Sequence, residues 1–297
     1  MLDGSSWPRI SIVTPSYNQG QFLEETIRSI LLQGYPNLEY IVIDGGSTDQ
    51  SVEIIQKYAK YLTYWVSEPD KGQSHAINKG IEKATGELFT FINSDDLLAP
   101  NVLFRVANYF KQQPLSWVLC GGIRQIDKEG KTIGECNQLP AISWEDLATG
   151  QTYQPQPATF WRFQAFSVIG TFREELHYFF DQEFFIRLLM NYKLETMPGL
   201  FAYARIHSEA KTQKNTISPL EERYRIILNY LPKIKGKFVK KIFAYRSISV
   251  NYLTLKIINT EDKAMKKLLF IKNNPILFTS PLSVKKILLN SLKSNHK

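Results

Sequence analysis

The feature that most constrains this chain is a regular alternation, over its first 126 residues, of β-branched runs with stretches of helical periodicity. Runs at 9–14 (RISIVT), 40–44 (YIVID), 62–67 (LTYWVS), 88–93 (LFTFIN) and 117–126 have the length and composition of buried strands. Between them, Phe22, Ile27, Ile30 and Leu31 recur at helical spacing, as do Val52, Ile54, Ile55 and Tyr58; residues 72–84 read as a third helix. Ser47…Gln50 matches a capping box for the second helix, and Pro100 suits the first turn of a fourth that runs to about Lys111. This alternation predicts an α/β fold with a mostly parallel central sheet flanked by helices on both faces. Ligands in such sheets bind beyond the carboxyl ends of the strands, which here are 14–18, 44–47, 68–73 and 93–96.

Residues 127–217 are less regular and rich in aromatics, with a helix expected over 181–189 and a strand over 200–206. From residue 218 the chain reads as helical and basic, with Val284, Ile287, Leu288 and Leu292 forming an apolar stripe beside Lys285 and Lys286. The sequence thus divides into 1–126, a nucleotide-type half; 127–217, a second half of the same domain; and 218–297, a basic helical C-terminal region. Residues 1–215 carry 19 Lys and Arg against 24 Asp and Glu, a net of −5, whereas residues 216–297 carry 17 against 4, a net of +13. Such a tail seeks phosphate on an acidic membrane surface or partner. Nucleic acid is not expected, because no recognisable binding module accompanies the charge. Two cysteines, Cys120 and Cys136, make no disulfide framework and no CxxC pair, and four scattered histidines add no zinc pattern. The N-terminal segment does not read as a signal peptide and no run reaches the ~18 apolar residues of a span, so a cytoplasmic protein is expected, its basic region either lying on the membrane surface or packing as a helical subdomain on the rest of the chain.

Several carboxylates stand where chemistry is expected. Asp95 and Asp96 directly follow a buried-type run, and two adjacent acids repel unless a cation or a set of donors offsets the repulsion. Mg²⁺ and Mn²⁺ take oxygen ligands, one or two carboxylates plus substrate phosphates, so this pair suits a metal–diphosphate site; a helix-capping loop is the plainer alternative. Asp44, before Gly45 and Gly46, can bond a ribose hydroxyl or a base N–H, or simply form a turn. No GxGxxG and no GxxxxGK[ST] follows the first strand, where the sequence is TPSYNQGQF, so the dinucleotide and P-loop readings lose their support.

Seven segments in order closely resemble the family 2 glycosyltransferases: ISIVTPSYNQGQFLEETIRSIL, YIVIDGGSTDQSVEII, SEPDKGQSHAINKGIEKATGE, FINSDDLL, QPATFW, DQEFFIRL and YARIH, spanning about residues 9–207. The resemblance implies the GT-A fold and inverting transfer of a sugar from a nucleotide-diphosphate sugar to a glycan or lipid-linked glycan. By the same resemblance Thr14, Pro15, Tyr17, Asn18, Asp44, Gly45, Lys71, Gly72, Asn93 and Asp95 surround the nucleotide sugar. Asp96 is then the direct ligand of Mn²⁺ or Mg²⁺, with His207 as a further contact, and Asp181 is the catalytic base. Gln156 and Trp161 could bond and stack an acceptor sugar, and Glu183 and Arg187 match acceptor-side positions. The sequence departs from many relatives at His75, where they carry Asp, and at Phe180, where relatives with a double acid carry Glu.

The chemistry wants such groups. A cation can neutralise charge on a departing diphosphate, so no general acid is needed. A carboxylate within reach of the acceptor hydroxyl contributes typically ~10²–10⁴-fold as a base. Phe179, Phe180, Phe184 and Phe185 beside Asp181 could partly desolvate it. The competing readings are a binding protein that keeps the fold without turnover, a nucleotidyltransferase, and a membrane or nucleic-acid scaffold resting on the tail alone.

Overall fold

The computed structural model describes residues 7–136, 142–150, 152–209 and 217–234. The chain divides into two compact units, Met1–Asn215 and Thr216–Lys297.

In the first unit, β1 (Ile10–Ser16) pairs in parallel with β2 (Leu38–Asp44) and with β4 (Leu88–Phe91), and β2 pairs in parallel with β3 (Tyr64–Ser67). All seven residues of β1 are buried, as a strand covered on both faces should be. Ile10, Ile12, Tyr40 and Val42 pack into one cluster with Leu23, Ile27 and Ile30 of α1 (Gly20–Leu31) and Ile55 of α2 (Ser51–Tyr58). Val102, Leu103 and Val106 of α4 (Val102–Gln112) join the same cluster. On the opposite face Val13 meets α3 (Gln73–Lys83) at Gly80, where a Cβ would fall 2.5 Å from a Val13 methyl. Only glycine lets this helix lie so close to the sheet.

The second half departs from parallel geometry. β8 (Thr159–Arg162) runs antiparallel between β4 and β6 (Val118–Ile126), and β6 runs parallel to the long β9 (Leu194–Arg205). The two-residue β5 (Leu97–Leu98) closes the edge against β9, and β7 (Thr132–Cys136) hangs on β6. The result is a nine-stranded mixed sheet in the order β3-β2-β1-β4-β8-β6-β9-β5. Short helices α5 (Trp144–Ala148) and α6 (Ala165–Ile169) precede α7 (Phe180–Asn191). In the second unit α8 (Ile217–Tyr230) continues into a 3₁₀ turn at Leu231–Lys233. The apolar stripe at 284–292 lies outside the described residues.

Two local expectations are corrected. No capping box forms at Ser47…Gln50, because the Ser47 hydroxyl is taken by Asp44; the α2 N-cap Gln50 makes no side-chain bond. The capping box that does form is Ser143…Asp146 on α5. Pro100 lies outside α4, whose N-cap is the left-handed Asn101.

Candidate functional site

The carboxyl ends of β1 and β2 carry two loops clasped to each other. Asn18, held in the left-handed region (φ 51°), donates its N–H to Ser47 Oγ (2.8 Å) and accepts from Thr48 N–H through Oδ1 (2.8 Å). Asp44 is fully buried and organises the turn. Its Oδ2 accepts from the N–H groups of Gly46 (3.1 Å) and Ser47 (2.9 Å) and from Ser67 Oγ (2.7 Å). Thr14 and Pro15 are buried, Thr14 lying 3.1 Å from the Tyr40 hydroxyl, while Tyr17 on the same loop is 61% exposed. Ser16 Oγ and Gln19 Oε1 are buried here without a hydrogen-bond partner among the described residues, which points to a polar ligand or water. Opposite, Asp70 approaches Gly45 so closely that a Cβ there would sit 2.6 Å from its Oδ2. Asp70 also accepts from the N–H of Gly72 (2.6 Å), whose φ of +117° suits glycine. Lys71 is exposed beside them.

The acid pair lies just beyond β4, and the fold treats its members differently. Asp96 is 6% exposed; its Oδ1 accepts from Arg205 N–H (3.0 Å) and its Oδ2 from Asn93 Nδ2 (3.1 Å). Burial, and next the neighbouring charge of Asp95, hold its carboxyl well above the usual carboxylate range. The Asp95 side chain is 20% exposed, and its Oδ2 lies 3.1 Å from His207 Nε2. The His207 ring packs on Phe22, 4.7 Å between centroids. Asp95 is thus the more open of the two acids, while His207, its side chain 4% exposed, is buried beside it as Asp96 is.

Arg205, singled out by nothing in the sequence pattern beyond its place in YARIH, locks this arrangement. Its Nε donates to the Asp95 carbonyl (3.1 Å) and its Nη1 to the Lys128 carbonyl (2.9 Å); Nη2 pairs with Glu25 (2.5 Å), and the guanidinium lies over Phe22.

Asn93 connects the acid pair to the second half. It accepts from Gln73 Nε2 (2.7 Å), and its Nδ2 also reaches Gln156 Oε1 (3.5 Å). Two residues earlier, the backbone N–H and C=O of Gln154 are clamped by the Gln182 side chain at 2.9 and 3.1 Å. Gln182 follows Asp181 in the first turn of α7, where the Asp181 carboxylate accepts from Gln182 N–H (2.7 Å). A path of hydrogen bonds, continuous but for one short stretch of chain, thus runs from Asp96 to Asp181. The segment leading into α7 is also tied to α3: Asn78 Nδ2 donates to the Phe172 carbonyl (2.8 Å) and Phe172 N–H to Asn78 Oδ1 (3.1 Å).

Three acceptor-side expectations are corrected. Trp161 is 0% exposed and packs among Phe89, Phe166, Phe184 and Phe185, so it offers no face to a sugar. Glu183 is buried, paired with Arg173 (3.1 Å) and Arg187 (2.9 Å). Arg187 also donates to the carbonyls of Ile169 and Thr171, so the pair fastens α7 to the preceding turn. Phe180, Phe184 and Phe185 belong to the aromatic core. Among the described residues no group of three or more His, Cys, Asp or Glu is arranged to hold a metal ion.

A parallel nucleotide-type half joined to a mixed half, with an acid pair just beyond β4 linked by hydrogen bonds toward a third acid on α7, defines a class of α/β folds. The family 2 glycosyl transferase model matches residues 11–190, and the chain belongs to that family. An uncharacterised glycosyltransferase of Haemophilus influenzae is 35% identical over 150 residues, half of this chain and 60% of its own length. TuaG of Bacillus subtilis, assigned to teichuronic acid biosynthesis, is 32% identical over 39% of this chain and 48% of its own. The match thus spans about half the length of these relatives. Among solved structures, TarS 1–349 of S. aureus with UDP-GlcNAc has a TM-score of 0.59 at 21% identity, covering 89% of this chain and 71% of that one. The mannosyltransferase PcManGT of Pyrobaculum calidifontis, with GDP-Man and Mn²⁺, has a TM-score of 0.61 at 16% identity, covering 97% and 81%. The fold is GT-A.

Proposed function

We propose that this chain is an inverting glycosyltransferase, moving a sugar from a nucleotide-diphosphate sugar to a hydroxyl of a glycan or lipid-linked glycan. The observation that supports the reading is the path of hydrogen bonds, broken only by one short stretch of chain, from Asp96 through Asn93, Gln156, Gln154 and Gln182 to Asp181. The clasped loops after β1 and β2 suit the nucleotide, with the exposed Tyr17 ring and the unpartnered Ser16 and Gln19 oxygens facing it. Asp44 holds that loop in shape, and Asp70, bonded to Gly72, holds Lys71 beside it.

Mn²⁺ or Mg²⁺ suits this cluster: the more exposed Asp95 carboxylate, with His207 Nε2 3.1 Å from it and the buried Asp96 next in the chain, offers the donors such an ion takes. Bound there, the ion supplies neutralisation of the charge that develops on the departing diphosphate. Asp181 takes the proton of the acceptor hydroxyl as it attacks from the opposite face of the sugar, which gives inversion. Cell-surface polysaccharide, lipopolysaccharide or glycolipid synthesis is the setting, in keeping with the assignment of TuaG. Work at the cytoplasmic membrane face suits the +13 net charge of residues 216–297.

A thermal-shift screen of nucleoside diphosphates and their sugars with Mn²⁺ tests the reading, because a ligand of the folded state raises the melting temperature. At least one nucleotide sugar should stabilise the protein, and Asp181→Asn should keep that shift while losing transfer by about 10²–10⁴-fold. Full transfer by Asp181→Asn rejects the base; no shift with any nucleotide sugar rejects the reading as a whole.

A further inference from the structure

The burial of Trp161 leaves the QPATFW segment without an exposed aromatic ring for an acceptor sugar, and the structure supplies one three residues before the segment begins. Tyr153 is 67% exposed, and its ring makes no hydrogen bond or ring contact among the described residues. The backbone around it is held firmly. Gln154, next in the chain and 1% exposed, has its N–H and C=O gripped by the Gln182 side chain at 2.9 and 3.1 Å, and its own Nε2 donates to Thr159 Oγ1 (2.8 Å). Thr159 Oγ1 in turn donates to the Pro155 carbonyl (2.6 Å), and a 3₁₀ turn over Gln156–Ala158 follows. Two prolines, Pro155 and Pro157, stiffen the run further. One side of this segment reaches the acid pair through Gln156 and Asn93, and the other reaches the candidate base through Gln182.

We infer that Tyr153 is the platform on which the pyranose ring of the acceptor stacks, one residue from the clamp on Gln182. The inference rests on the glycosyl-transfer reading and deepens its acceptor side. Tyrosine offers a large apolar face at little cost in side-chain entropy, and a backbone fixed before binding lowers the cost of ordering further. The C–H face of a sugar ring meets the ring, and its hydroxyls remain free to point toward Asp181. A stack of this kind orients the nucleophile, so it acts on transfer to a sugar rather than on attack by water.

The test compares two rates of one enzyme with the donor and Mn²⁺ found by thermal shift: hydrolysis of the nucleotide sugar, and transfer to methyl pyranosides of the gluco, galacto, manno and N-acetylglucosamine series. Tyr153→Ala should lower kcat/KM for transfer about fivefold more than it lowers hydrolysis, through a raised acceptor KM. Tyr153→Phe and Tyr153→Trp should restore acceptor KM to within about twofold of the wild type. Tyr61→Ala, which removes another exposed tyrosine (57%) on the 3₁₀ turn before β3, controls for general effects. An unchanged acceptor KM in Tyr153→Ala overturns the platform, as does a wild type that hydrolyses donor yet transfers to no pyranoside. A wild type that turns over no nucleotide sugar at all overturns the glycosyl-transfer reading instead.

Discussion

Asp95 and Asp96 are chemically identical neighbours, and the fold separates their duties by what it gives each to bond. Asp96 is held inside by Arg205 N–H and Asn93, while the more exposed Asp95 lies 3.1 Å from the buried His207 ring. If the cation sits on Asp95 and His207, replacing either removes a ligand directly. Asp95→Asn and His207→Ala should each raise the Mn²⁺ concentration for half-saturation at least about tenfold, measured calorimetrically with a nucleoside diphosphate present. Midpoints equal to the wild type would place the ion elsewhere. The motif was legible in the sequence, but the difference in exposure between its two acids was not. It depends on an N–H 109 residues away, and on an arginine whose burial requires Glu25 and Phe22 to meet it.

At the scale of elements, the strands and helices of the first half were legible because β-branched runs and 3.6-residue periodicity report burial directly. Trp161 shows where such reading stops: by type alone an aromatic in a strand suits a core and a ligand equally well, and only the packing of Phe89, Phe184 and Phe185 around it decides. Glu39 gave no signal at all. It sits on β2, 1% exposed, accepts from Ser11 Oγ on β1 and from the N–H and hydroxyl of Thr85 before β4, and pairs with Arg9. Burial alone would raise its pKa, but these donors outweigh burial and hold it below the usual value. A carboxylate depressed in the folded state stabilises fully above its unfolded pKa, about 4.3, and loses that contribution as pH falls through the lower folded value. Glu39→Gln should therefore lose about 1–3 kcal/mol at neutral pH, with the difference from wild type shrinking below about pH 4 in denaturant titrations. A difference independent of pH would show that the charge on Glu39 contributes nothing.

The whole molecule joins a mildly acidic N-terminal region to a strongly basic one, a division legible from charge alone. Among the described residues no helix is long and apolar enough to cross a membrane. The +13 region offers a means of attachment that rests on charge. Full-length protein should co-sediment with vesicles rich in acidic lipid at low salt and come off as salt shortens the Debye length from about 30 Å at 0.01 M toward about 3 Å at 1 M. No binding at low salt would assign the basic region another partner.

Residues far apart in sequence are linked through the sheet: the acid pair follows β4, and α7, which carries Asp181, is tied toward it through Gln182 and Gln154. A crystal structure of the protein with Mn²⁺ and the stabilising nucleotide sugar tests this most directly. It should show the ion on Asp95 and His207, the diphosphate against the ion, and the Asp181 carboxylate facing the anomeric carbon from the side away from the diphosphate. A donor bound with Asp181 turned from the sugar, or an ion held by neither Asp95 nor His207, would contradict this mechanism.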